Sequence, residues 1–428
     1  MTQTAVPDGP LKGLKIIDLT AVVFGPYATQ ILSDFGADVT KVESPAGDIM
    51  RFVGKHGDEG MGPIHLSVNR GKKIITLDLK KPEGLAVLHD LIRDADVLVH
   101  TMRPAAAARL KIGSRMSSKR AATCSAARLK IGYEDLRAIN PSLIYCGAYG
   151  YSAEGPYAAK PAYDDVIQGY SGFAALAGRL AGQPMFFPTV INDKICALVL
   201  TYSILAAAYH RQATGEGQSV EVPMFESSVQ FMLVEHLGDR TFGPDEPPGY
   251  ARVLSQHRKP HKTKDGYLCV LPYHDKNWAD FFRIVERPDL IEDPRFCSHA
   301  ARSANYEVLY SMLSDFVAER PSAFWLEKLT AHNIPVAPVQ DLDDLFHDEH
   351  LNAVNFFAEV DHPDSGKILA ARQSVNFSAT PARLGEPAGR QGAHSVEVLK
   401  GLGYDDDKIE RLLADGSVQQ AENQAAKQ

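Results

Sequence analysis

Along the N-terminal half, short apolar runs alternate with segments whose apolar residues recur at helical spacing. Residues 14–19 (LKIIDL) form a short run ending in a turn, Gly25-Pro26 opens a helical pattern, and residues 38–43 (DVTKVE) read as the next strand. Together they make a βαβ unit of the usual size. Pro26 suits a first helical turn, where its missing N–H has no partner to lose, and Gly36 suits the left-handed helix end. The alternation continues through residues 74–79 (IITLDL), a helix over 82–95 with Leu85, Leu88, Leu91 and Ile92 at helical spacing, and residues 97–100 (VLVH). Residues 133–140 look helical and 143–146 (LIYC) read as another buried strand. Strand alternating with helix predicts an α/β fold with a mostly parallel sheet covered on both faces.

Further on, the spacing predicts a long helix over 194–211, with Ile195, Leu198, Val199, Tyr202 and Leu205 on one stripe and Gly215 closing it. Asp193 then sits at its N-terminal edge. Beyond Pro223 the pattern changes, and a Pro/Gly/basic stretch over 240–265 precedes a strand-like run at 267–271. We expect a large discontinuous domain (1–225 and 336–428) and a smaller α+β domain (226–335). Within the C-terminal part, 367–371 reads as a strand, 405–414 as a helix, and the Gln/Ala-rich end, 416–428, as frayed. The sequence Ala-Ala-Arg-Leu-Lys-Ile-Gly occurs at 107–113 and again at 126–132. The stretch 107–132 is expected to be a surface insert made by local duplication.

A chain of 428 residues exceeds the roughly 250–300 at which single cores stop growing, which supports two domains. No stretch approaches the ~20 uninterrupted apolar residues of a membrane span, and residues 1–10 lack the basic and apolar regions of a secretory signal. A soluble, cytoplasmic protein with no membrane partner is expected. Five cysteines without a CxxC pair argue against a disulfide framework and against a zinc site, and no metal is expected. The net charge of −8 includes no basic stripe, which makes nucleic acid a poor partner. A small-molecule enzyme fits better.

Candidate chemistry begins at Asn192-Asp193-Lys194. A carboxylate at a helix start is ordinarily an N-cap, yet the same place stabilises an anion and offers amides to a developing oxyanion. Upstream, Ala162-Tyr163-Asp164-Asp165 carries paired acids, which in a loop are ordinarily solvated charge. Residues 252–264 are dense in positive charge; they read as a solvated face or as a recruiter of carboxylate or phosphate groups. Nothing matches GxGxxG, GxxxxGK[ST] or GxSxG, so dinucleotide, P-loop and α/β-hydrolase readings lack their usual warrant.

The ordered set of motifs resembles the class III CoA-transferases of the CaiB/BaiF type, a family that also includes α-methylacyl-CoA racemases. The resemblance runs through Leu11-Lys12-Gly13-Leu14, Phe24-Gly25-Pro26, Phe35-Gly36-Ala37-Asp38-Val39, Asn69-Arg70-Gly71-Lys72-Lys73, Arg103-Pro104, Ala162-Tyr163-Asp164, Thr214-Gly215-Glu216-Gly217-Gln218 and Gly401-Leu402-Gly403-Tyr404. Each motif is weak alone, whereas their order across nearly the whole chain is specific. The resemblance implies a Rossmann-like large domain, an interlocked homodimer, and CoA as cosubstrate rather than a tightly bound cofactor. It also implies that Asp193, thirty residues after Tyr163, is the nucleophile in CoA transfer between an acyl-CoA and a carboxylic acid. CoA contacts are implied at Val23, Phe24, Leu77, Asp78, Leu79, Lys80, Thr101, Met102, Arg103, Arg109, Pro161, Ala162, Tyr163 and Asp164, with Arg128 the duplicate of Arg109. Racemases of this kind carry a histidine where this chain has Tyr163, and they need it because inversion takes a base on each face. A nucleotide-binding oxidoreductase is the alternative from another class.

Overall fold

The computed structural model describes residues 9–102, 129–179 and 181–421. It divides into two compact units, one comprising 1–174, 186–231 and 355–428, the other 175–185 and 232–354. The larger unit therefore keeps 226–231, and the smaller takes 175–185 and 336–354, unlike the boundaries read from sequence.

The larger unit is built on a seven-stranded sheet: β1 (Lys15–Leu19), β2 (Asp38–Glu43), β3 (Lys73–Leu77), β4 (Val97–His100), β5 (Ile144–Tyr149), β6 (Ser219–Pro223) and the terminal strand Val418–Gln419. Their order is terminal strand, β3, β2, β1, β4, β5, β6. Pairing is parallel except where Val418–Gln419 runs antiparallel to β3. Parallel strands must be covered on both faces, and alternation along β1 divides them: Ile16 joins one core, Ile17 the other. The first core packs the helices Phe24–Asp34 and Ile191–Thr214; the second packs Pro82–Arg93 and the C-terminal helices Ser395–Gly401 and Asp406–Ala414.

Of two readings in the C-terminal part, the fold corrects one and bears out the other. Residues 416–421 are not frayed: Val418 is buried and pairs with Leu77, while the Ser417 carbonyl accepts from the Asp78 N–H at 2.9 Å. The strand read at 367–371 is Gly366–Ala371, half of an antiparallel hairpin with Phe357–His362. Of the duplicated stretch, 107–128 lies outside the described residues; its end reaches the core, with Ile131 buried and its carbonyl accepting from the Tyr145 hydroxyl at 3.2 Å.

Helix Ile191–Thr214 is, by length and composition, apolar enough to cross a membrane, closer to span length than the sequence reading allowed. Its residues Cys196, Leu200, Ile204 and Ala207 pack into the first core, and Leu198, Tyr202 and Tyr209 are exposed on the other face. Such a split is that of an amphipathic helix on a sheet.

The smaller unit has its own three-stranded antiparallel sheet (His261–Lys262, Tyr267–Val270, Val336–Pro338) and an aromatic core. Trp325 stacks on Phe281 at 6.0 Å and donates its indole N–H to the Val317 carbonyl at 2.9 Å. The basic stretch 252–264 belongs to this unit, and Arg252 Nε there donates to the Tyr310 hydroxyl at 2.7 Å.

Candidate active site

β1 is flanked by β2 on one side and β4 on the other, so the chain winds outward from β1 in both directions. Ligands of open parallel sheets bind outside the carboxyl ends of the strands at such a reversal. There, where Leu19 is in register with His100, the structure has a cleft of about 250 Å³. Ala21, Val22 and Phe24 contribute from the turn after β1, Thr101 from the end of β4, and Tyr149 and Gly150 from the end of β5. Lys160, Pro161, Ala162, Tyr163, Asp193 and Met224 close it. A Cβ on Gly150 would come within 2.1 Å of the Ala162 Cβ, so only glycine lets the end of β5 approach this loop.

Helix Ile191–Thr214 begins three residues earlier than the sequence spacing predicts, which places Asp193 inside the first turn. Asp193 is not the cap. That work is done by Asp164, whose Oδ1 accepts from the N–H groups of Asn192 (2.6 Å) and Asp193 (3.0 Å). Its Oδ2 accepts from Gln168 Nε2 at 2.6 Å, and Gln168 Oε1 accepts from the Phe187 N–H at 2.8 Å. The acid pair read as solvated charge thus has one member, Asp164, buried in a structural role. Freed from capping, the Asp193 carboxyl lines the cleft at 7% exposure, and among the described residues no hydrogen bond reaches its oxygens. Burial, then the charges of Asp164 and Asp165, push its pKa up to about 7.

The same geometry corrects the expectation that amides at the Asp193 helix start would hold an oxyanion. The N–H groups of Asn192 and Asp193 are taken by Asp164, and that of Lys194 by the Val190 carbonyl. Helix Phe24–Asp34 opens on the cleft instead, through Phe24, and its first turn has no side-chain cap.

Of the residues implied by resemblance, Phe24, Thr101, Pro161, Ala162 and Tyr163 share the cleft with Asp193. Val23 lies between two lining residues but is itself buried, and Asp164 stands behind the wall. Leu77 is sealed in the second core, where its backbone pairs with Val418, so its side chain is unavailable to a ligand. Leu79 and Met102 pack against the same core. Asp78 and Lys80 follow the carboxyl end of β3, tied to each other by Lys80 N–H to Asp78 Oδ1 at 3.0 Å, and are not part of the cleft wall. Arg103, Arg109 and Arg128 lie outside the described residues. Residues 147–151 are the end of β5 and the two residues after it, with Tyr151 buried. Sequence reasoning missed Lys160, a cation on the cleft held by the Tyr170 hydroxyl (3.1 Å) and over the Tyr157 ring (3.7 Å). It also missed Val22, for which no local signal exists.

Comparison with known proteins gives a consistent result. The profile described as CoA-transferase family III matches residues 11–123 and 120–395, interrupted at the duplicated stretch. The chain is 31% identical over 417 residues to the mouse (Mus musculus) succinyl-CoA:glutarate CoA-transferase, covering 96% of this chain and 91% of that one. It is 31% identical over 420 residues to a succinyl-CoA:mesaconate CoA-transferase of Haloarcula hispanica, covering 94% and 99%. Among solved structures, a CAIB/BAIF family protein from Brucella suis superposes with a TM-score of 0.73 at 27% identity, covering 92% of this chain and all of that one.

Proposed function

This chain belongs to CoA-transferase family III and is an enzyme that transfers CoA, and on that premise we propose that the Asp193 carboxylate carries the transfer covalently. The observation behind the proposal is a buried carboxyl that faces a cleft, makes no hydrogen bond within the described chain and ionises only near neutrality. An environment that disfavours its charge favours the neutral acylated forms of the same group. Burial and the repulsion from Asp164 are both relieved when Asp193 becomes an anhydride or a thioester.

In this reading Asp193 Oδ attacks the thioester carbonyl of the donor, forming a mixed anhydride and releasing CoA thiolate. The thiolate attacks the aspartyl carbonyl; the donor acid leaves with one oxygen that was Asp193's, and an aspartyl–CoA thioester remains. The acceptor carboxylate attacks that thioester, releasing CoA thiolate again, which then attacks the acceptor acyl carbon of the second anhydride. Asp193 is restored with one oxygen taken from the acceptor. Net, CoA passes from one carboxylic acid to another of similar basicity, one thioester replacing another, so no external energy source enters. In this reading the Phe24 and Gly25 N–H groups, at a helix start without a side-chain cap that opens on the cleft through Phe24, are the donors for a developing oxyanion. No histidine lines the cleft among the described residues, which favours transfer over α-carbon inversion.

The acids are assigned as dicarboxylates. Relatives named for glutarate and mesaconate support this, as does Lys160, a cation on the cleft able to meet a second carboxylate. The exposed face of Leu198, Tyr202 and Tyr209 supports a homodimer. The test is isotopic: turnover of succinyl-CoA with glutarate labelled with ¹⁸O in its carboxylates places ¹⁸O in the peptide containing Asp193. Turnover without label in that peptide refutes the covalent route.

A further inference from the structure

The turn between β1 and helix Phe24–Asp34 is gripped by charges that this chemistry does not use. Val22 has a φ of +73°, a left-handed conformation that β-branched residues rarely adopt and that costs free energy to hold. Two buried side chains hold its neighbouring peptide groups. Lys41 Nζ donates to the Thr20 carbonyl at 2.9 Å, and the Val22 N–H donates to Asp48 Oδ1 and Oδ2 at 3.2 and 3.3 Å. Lys41 and Asp48 are themselves paired at 3.2 Å, with side-chain exposures of 0% and 1%. Asp48 Oδ1 also accepts from the Met50 N–H at 3.1 Å, which ties the pair to the following turn, Ile49–Phe52.

One ion pair therefore fixes the carbonyl before Ala21 and the amide after it. Ala21 and Val22 are themselves cleft wall, and helix Phe24–Asp34 starts two residues further along the chain. The packing leaves little slack, since a Cβ on Gly25 would lie 2.3 Å from the Thr20 Cβ. If Val22 relaxed to an ordinary conformation, the wall and the first helical amides would rotate away from their present places.

We propose that Lys41 and Asp48 are positioning residues for CoA transfer, whose ion pair holds Val22 left-handed and so sets the cleft wall and the uncapped helix start beside Asp193. The proposal rests on the Asp193 reading only for what is being positioned. Strain is stored at a site wall and opposed by a buried clamp, as expected where geometry matters to the reaction.

The test pairs Asp48→Asn with Val22→Gly. Asp48→Asn keeps the shape and leaves Lys41 near Asp18, a charge it already feels. We expect kcat to fall about 10- to 100-fold, by more than KM rises, as for a small misplacement of reacting groups. Adding Val22→Gly restores kcat at least about tenfold, because glycine adopts the left-handed conformation without the steric cost that the clamp opposes. A purely stabilising pair predicts the opposite, since glycine would add its own entropy cost. Val22→Gly alone should raise the thermal midpoint, a measurement that stands even if Asp48→Asn does not fold. A double variant no faster than Asp48→Asn, or a lowered midpoint for Val22→Gly, overturns the proposal. Absence of an Asp193 adduct in the wild-type enzyme, with glycine rescue intact, would instead sink the nucleophile and leave the clamp standing.

Discussion

Asp193→Asn should make the protein more stable above neutrality while abolishing transfer. The Asp193 carboxyl ionises near 3.8 when unperturbed and at about 7 in the fold. An acid whose folded pKa is raised binds its proton more tightly in the native state, so the native state loses stability as pH climbs between those two values. Below pH 4 both states carry the proton and no penalty exists; above pH 7 the penalty is complete. It amounts to roughly 4 kcal/mol at full ionisation. Asparagine is neutral throughout, so the variant escapes it. For a chain of this length unfolding as a whole, the gain corresponds to about 4 °C in thermal midpoint. Midpoints of wild type and variant, taken from pH 4 to 8.5, should coincide at the acid end and diverge upward through neutrality. A variant less stable at every pH, or one whose advantage does not grow with pH, would refute this reasoning, because it would mean that the carboxylate is held by favourable partners.

Three other substitutions have defined outcomes. Asp164→Asn keeps an oxygen for the helix amides but removes the nearest opposing charge, so Asp193 should ionise more readily; the rising limb of the pH–rate profile should move to lower pH by on the order of one unit, and an unmoved limb would deny the coupling. Gly150→Ala drives a methyl into Ala162 and should cost about 1–3 kcal/mol in chemical denaturation together with a raised KM for acyl-CoA; tolerance of alanine would show that the wall is looser than the geometry indicates. Lys72→Met leaves Asp18, wholly buried and paired with Lys72 at 3.0 Å, short of a counter-charge, and should destabilise by about 3–5 kcal/mol, read as a shift in urea midpoint.

Some of this was legible in the sequence. β4 occupies the residues that its short apolar run marks, because a strand buried on both faces needs little context beyond its own composition, and β2 spans the residues read as a strand although four of its six are polar. The start of the Asp193 helix was not legible, since its cap is Asp164, a residue 29 positions upstream that arrives through the fold. That one contact changes Asp193 from a capping group into a free one. Val418 was unreadable for a similar reason: two residues make a strand only when β3 is there to pair with them. Leu77 entered through resemblance, and its own apolar run had already marked it for the core. The left-handed Val22 leaves no trace in local sequence, because the conformation is imposed by Lys41 and Asp48.

The most direct test of covalent transfer through Asp193 is to mix the enzyme with succinyl-CoA alone, quench with hydroxylamine, and read the masses of its peptides. A covalent route predicts a hydroxamate on Asp193, dependent on the donor and absent from Asp193→Asn. Stoichiometric modification of another residue, with Asp193 untouched while the enzyme turns over, would contradict it.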